Sequence, residues 1–195
     1  MKRLFVTISI IILLEWSTCF AAIYLSQFGF SVNIPSHWKV TNSRVLMENP
    51  EREKALDILF KALAVSEEKK KEIMHALKNG QMEYWHYRET ANNATCRRVE
   101  KGRGILKSSE FKEFIGKFKK LGNDVEVYDI GLKKIAGLDV FYFEWGGLVH
   151  GLKVLQLNMQ ITPKEYLQFT LTTEDERFEI LKGEFWQIIS SLKLL

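Results

Sequence analysis

Residues 152–161 constrain the fold more than any other stretch. Leu155, Leu157, Met159 and Ile161 alternate with Gln156, Asn158 and Gln160, the two-residue period of a strand with one apolar and one polar face. Residues 125–132, 137–145 and 166–172 read as strands too, and four such segments in succession suit an antiparallel meander. Behind them, Thr173-Glu174-Asp175-Glu176 reads as a capping box. Phe178, Leu181, Phe185, Ile188, Ile189 and Leu192 then recur at helical spacing. A sheet followed by such a stripe must be covered by helices, and the expectation is that they cover both faces.

The preceding half supplies the rest of the sheet. Phe28, Phe30, Val32 and Ile34 alternate with Gly29, Ser31 and Asn33, Pro35-Ser36-His37 is a turn, and residues 38–46 are expected to return as a second extended segment. A helical hairpin follows. Asn49-Pro50 with Glu51 and Glu53 starts the first helix, on which Leu56, Leu59, Phe60 and Leu63 share a face. Ser66 caps the second, whose apolar side is Ile73, Met74 and Leu77 and whose stop is Asn79-Gly80. Residues 81–88 and 94–101 read as paired strands across an Asn92-Asn93 turn. Ser108 or Ser109 then caps a helix with the stripe Phe111, Phe114, Ile115, Phe118 and Leu121, ended by Gly122-Asn123.

No repeat and no Pro/Gly/Ser linker divides this order, so residues 22–195 are expected to form one domain. Residues 1–21 are a targeting segment. Lys2 and Arg3 precede a largely apolar run over residues 4–14, and Cys19-Phe20-Ala21 places small residues at a cleavage site. The run is too short for the roughly 20 residues of a membrane anchor, and Trp16-Ser17-Thr18 before Cys19 is unlike a lipidation box. Cutting after Ala21 removes two basic residues and one acidic residue, so 174 residues remain and the net charge falls from +4 to +3. Cys96 is then the only cysteine, which excludes an internal disulfide. Its plain reading is a small buried hydrophobe. A reactive thiol, activated by Arg97 and Arg98, requires it to be exposed.

Several local strings resemble the PsbP-like superfamily. Residues 30–38 (Phe-Ser-Val-Asn-Ile-Pro-Ser-His-Trp) are similar to the family's hydrophobic-x-hydrophobic-Pro-x-x-Trp entry. The tail from Ser108 through Thr162-Pro163-Lys164-Glu165-Tyr166 to Ile189-Ser190-Ser191-Leu192 is similar as well. The resemblance covers residues 28–48 and 94–195. It implies an α+β chain: an α/β/α sandwich with a central antiparallel sheet covered by helices, to which residues 50–79 add a helical-hairpin insert. It also implies a binding or accessory protein, and it supplies no catalytic residues.

Catalytic and metal motifs are missing from the sequence. His37, His75, His86 and His150 stand singly rather than at metal-ligand spacing, so no metal or cofactor is expected. Gly-x-Ser-x-Gly and phosphate-cradling glycine loops do not occur, and Gly102-Arg103-Gly104 and Gly146-Gly147 read as turns. Glu83, Glu89, Asp139 and Glu144 lie near aromatic residues, which leaves a carboxylate-dependent hydrolase as the last-ranked reading. Asn93-Ala94-Thr95 is a glycosylation sequon.

Two features remain. Residues 97–120 carry nine basic against three acidic side chains, net +6, and Arg97, Arg98, Lys101, Arg103 and Lys107 form a candidate basic patch for a protein or an anionic envelope component. Nucleic acid is not an expected partner of an exported chain, and membrane contact is peripheral at most. In Met82-Glu83-Tyr84-Trp85-His86-Tyr87, alternation puts Trp85 and Tyr87 on one face and Tyr84 and His86 on the other. Two aromatic faces require either two covering layers or a ligand groove. The leading expectation is therefore a non-enzymatic module, periplasmic or extracellular, that binds a protein or assembly at the cell envelope. The alternative is a carrier or sensor of a small apolar or aromatic ligand, held between residues 82–87 and the hairpin.

Overall fold

The computed structural model describes residues 21–62, 65–88, 90, 92–100, 105–122 and 124–195. Residues 1–20 of the expected leader, which runs to Ala21, lie outside them, Cys19 included, as do Leu63, Glu89, Lys101, Gly102-Arg103-Gly104 and Asn123.

Two antiparallel sheets carry the fold. β1 (Ala21–Leu25), β2 (Phe30–Pro35) and β10 (Lys193–Leu194) form the smaller, with β2 central. β3 (Trp38–Thr41), β4 (Glu83–Tyr87), β5 (Asn93–Glu100), β6 (Glu126–Ile135), β7 (Leu138–Gly146), β8 (Leu152–Thr162) and β9 (Glu165–Glu174) form the larger, ordered β3-β4-β5-β9-β8-β7-β6. The C-terminal strands are the expected meander. β5 inserts beside β9, and this brings the N-terminal strands into the same sheet.

The alternation read from β8 sets the layers. Leu155, Leu157 and Met159 are fully buried beside Leu167, Phe169 and Leu171 of β9. Against them lie Phe178, Leu181, Phe185, Ile188 and Ile189 of α5 (Phe178–Ser190), together with Phe30, Val32 and Ile34 of β2. Among the described residues, the opposite face is covered at its two ends. At one end sits the hairpin of α2 (Glu51–Ala62) and α3 (Glu67–Lys78), with Leu56, Phe60 and Leu77 packed on Tyr84. At the other, α4 (Phe111–Phe118) lays Phe111, Phe114 and Phe118 over Phe141, Phe143 and Trp145 of β7.

Three expectations about local structure are corrected. Extended chain after Trp38 stops at Thr41, because the Asn42 side chain accepts the Val45 N–H at 2.9 Å and starts α1 (Ser43–Glu48). Thr173-Glu174-Asp175-Glu176 is not a capping box: β9 runs on through Glu174, pairing with Leu152, and a 3-10 turn leads into α5 without a side-chain cap. Neither Ser108 nor Ser109 caps α4. Both lie within a 3-10 turn that the Glu110 carboxylate closes by accepting the Lys107 N–H at 2.7 Å. The Ser66 cap is present, with its hydroxyl accepting the Lys69 N–H. Gly147 is a turn residue at φ +87, where a Cβ would collide with the Asp124 carbonyl.

Phe185→Ala removes a fully buried ring from the α5 layer and is expected to cost about 3–5 kcal/mol. Ile180→Ala, on the exposed side of the same helix, is expected to stay within about 0.5 kcal/mol of wild type; urea unfolding of the two variants checks the pair. The β6–β7 turn is Ala136-Gly137, with φ positive at both residues (51 and 80), the hairpin geometry that favours Asn at its first position. Ala136→Asn is expected to raise stability by roughly 0.5–1 kcal/mol, read in the same assay.

Candidate functional site

Among the described residues, the two helical covers leave the middle of one sheet face open. In one row of cross-strand partners, Tyr84 of β4 is followed by Thr95, Thr170, Gln156 and Phe143. The next row is Arg97, Gln168, Asn158 and Phe141. The aromatic residues at the ends sit under helices. Between them Thr95, Arg97, Gln168, Thr170 and Gln156, on β5, β9 and β8, form the floor of a groove of about 1300 Å³, with Lys69, Glu72 and Ile73 of α3 along its wall.

The floor is hydrogen-bonded in one direction. Arg97 Nε donates to Gln168 Oε1 at 2.6 Å, Gln168 Nε2 donates to Asn158 Oδ1 at 2.9 Å, and Gln156 Nε2 donates to the same oxygen at 3.3 Å. The Asn158 acceptor is thus used twice. The other guanidinium N–H groups of Arg97 and the Asn158 amide hydrogens take no part in this network. Such a floor suits carbonyl or carboxylate oxygens.

Of the expected basic patch, Arg97 lies in the groove. Arg98 pairs with both carboxylate oxygens of Glu165, each at 2.9 Å. Lys107 is exposed beyond β5, and Lys101 and Arg103 lie outside the described residues. The structure therefore brings two members of the patch, Arg97 and Arg98, to the groove and gives Arg98 an acidic partner.

The aromatic strand is placed differently from expectation. Trp85 and Tyr84 are 0% and 3% exposed. Trp85 packs on Phe169 and Tyr24, whereas Tyr84 packs on Phe60, so both faces of β4 are core under two covering layers. Tyr87 packs on His37 and Trp38. His86 lines the cleft beneath α2.

Cys96 is fully buried, and burial followed by the neighbouring Glu83 pushes its thiol well up; the activated-thiol reading is corrected to the plain one. Asn93, the sequon residue, is partly buried at the start of β5 between His86 and Thr172. Among the carboxylates, Asp139 pairs with Lys134 and Glu144 with Lys182. Glu83 and Glu144 are four strands apart, about 19 Å at roughly 4.8 Å per strand. These three do not converge, and Glu89 lies outside the described residues. No group of three metal-ligating side chains occurs among the described residues.

Glu83 has a role that sequence reading missed. One of its oxygens accepts from the Tyr24 hydroxyl (2.8 Å), the Ser26 hydroxyl (2.9 Å) and the Gln27 N–H (3.0 Å), while Asn42 donates to Tyr24. The carboxyl thereby joins the smaller sheet to β4. Burial raises its pKa above the ordinary glutamate range, against the opposing effect of these donors. The native state then holds the proton more tightly than the unfolded chain, so this group's contribution to stability falls as pH rises from about 4.3 through the raised value. Glu83→Gln keeps an oxygen for the three donors. It is expected to flatten the pH dependence of urea unfolding in that window relative to wild type; matching profiles would show that Glu83 does not titrate there.

No protein-family model matches the sequence, and no curated protein does. Among solved structures, the chain is similar to the cyanobacterial PsbP (CyanoP) of Synechocystis sp. PCC 6803, at 12% identity and a TM-score of 0.54, over 92% of this chain and 95% of that one. The Ran-binding protein Mog1p of Saccharomyces cerevisiae aligns at 6% identity with a TM-score of 0.49, over 89% and 96%. No described helix is long and apolar enough to cross a membrane. The likeness to CyanoP, with the same mixed α+β architecture over nearly the whole of both chains, shows that this protein has the PsbP-like fold.

Proposed function

We propose that the chain is an exported binding module without catalytic chemistry of its own, and that it holds an extended segment of a partner protein or assembly at the cell envelope. The observation that carries this reading is the bare three-strand floor between α3 and α4, with Arg97 at one end of a directed amide network. A polypeptide laid along the groove offers a carboxylate to Arg97, a charge-assisted contact, and passes over Gln156 and Gln168. Export follows from the pattern of residues 1–21, whose removal leaves β1 from Ala22 onward and the Tyr24–Glu83 contact intact.

Affinity capture from the native envelope fraction with residues 22–195 as bait, at low and moderate salt, tests the reading. One partner is expected to be retained at low salt, weakened as salt rises and lost on Arg97→Glu. Ile180→Ala, on the far side of the molecule, is expected to retain it. Undiminished capture by Arg97→Glu would overturn the assignment to the groove.

A further inference from the structure

A second concavity lies beneath α2, at the sheet edge formed by β3. Its volume is about 410 Å³, within the roughly 300–1,000 Å³ of small-molecule sites. Arg52, Ala55, Leu56 and Leu59 recur at positions i, i+3, i+4 and i+7 and present one helical face to it. Ile58 completes the upper wall. The floor is Lys39 and Thr41, two residues apart on one face of β3, and His86, the cross-strand partner of Lys39. The walls are aliphatic and the lining contains no acidic residue.

The charges at this cleft differ from those on the rest of the hairpin. Lys54, Lys61, Lys69, Lys70 and Lys78 each pair with a nearby carboxylate. Neither Arg52 nor Lys39, which border the cleft, has an ion-pair partner among the described residues. Thr41 is 1% exposed, and its hydroxyl has no hydrogen-bond partner among the described residues. A buried hydroxyl donor without an acceptor is uncommon enough to require an explanation. Two unpaired cations and a hydroxyl beside an aliphatic wall complement one kind of molecule, an anionic head on an aliphatic chain.

We infer that the cleft between α2 and the β3–β4 edge binds a small aliphatic monocarboxylate, with Arg52 and Lys39 at its carboxylate and Ala55, Leu56 and Leu59 along its chain. This site lies on the same sheet face as the groove but beyond Tyr84. It is independent of the groove reading, and either can fail alone.

Octanoate, kept below its micelle concentration, is titrated into the purified protein by calorimetry, with octanol as the neutral counterpart. Octanoate is expected to bind saturably at one site, and octanol at least tenfold more weakly. Arg52→Gln is expected to weaken octanoate roughly tenfold, the order of one charge-assisted contact, and to leave octanol unchanged. Leu59→Trp is expected to abolish binding by filling the cleft, while thermal unfolding confirms that each variant is folded. Arg97→Glu is expected to leave octanoate affinity unchanged, which separates this site from the groove. Absence of octanoate binding, equal affinity for octanol, or binding that survives Leu59→Trp would each overturn the inference.

Discussion

The layer between α5 and the larger sheet is the constraint on which the other elements depend. Leu155, Leu157, Leu167, Phe169 and Leu171 have no measurable exposure, and Phe185 and Ile189 of α5 have none either. At about 25 cal/mol per Å² of apolar surface removed from water, this layer dominates the hydrophobic stabilisation. It fixes the register of β8 against β9, since a slip of one residue would turn the three buried side chains of β8, Leu155, Leu157 and Met159, to the wrong face. Once that face is committed to α5, the polar partners along the same strands must project from the other. The groove floor is therefore a geometric consequence of the core.

Half of that consequence is legible in the sequence. Gln156, Asn158 and Gln160 marked one face of β8 as polar, which conflicts with helices covering both faces completely. The covers are instead partial: helices lie over Tyr84 and over Phe141 and Phe143, where the outward residues are aromatic, and leave β5, β9 and β8 open between them. The order of the strands was not legible. The placement of β5 beside β9 rests on pairing across more than sixty residues, and local pattern carries no information about such a partner. Arg97 and Gln168 come together through that pairing, so their contact could not be read from spacing alone.

Helix boundaries were legible where a side chain closes a local hydrogen bond and misleading where tertiary pairing competes. Ser66 acts as read because nothing else claims its hydroxyl. Thr173 has the right neighbours for a cap, yet its backbone pairs with Lys153, and a strand already seven partners long extends through it. The Tyr84 to Tyr87 segment shows the same limit for function. Its two aromatic faces were compatible with two covers or with a groove, and the choice rests on Phe60 and Leu77 from a hairpin whose docking depends on tertiary packing.

The α2–α3 hairpin shapes both concave surfaces. Its inward residues, Leu56, Phe60 and Leu77, are at most 2% exposed and fasten it over Tyr84. One flank of α3 then becomes a wall of the groove, with Ile73 and Ala76, and one face of α2 becomes the roof of the cleft, with Ala55 and Leu59. A bare β3–β4 edge would be flat and partly apolar, a hazard for edge-to-edge association. The docked hairpin covers part of that edge and leaves concavities on either side. Two ion pairs, Lys70 with Asp57 and Lys78 with Glu53, join α3 to α2, and Lys61 with Asp57 lies within α2; such surface pairs contribute modest energies. The hairpin therefore depends on three apolar side chains for its position, and through that position it sets the width of both sites.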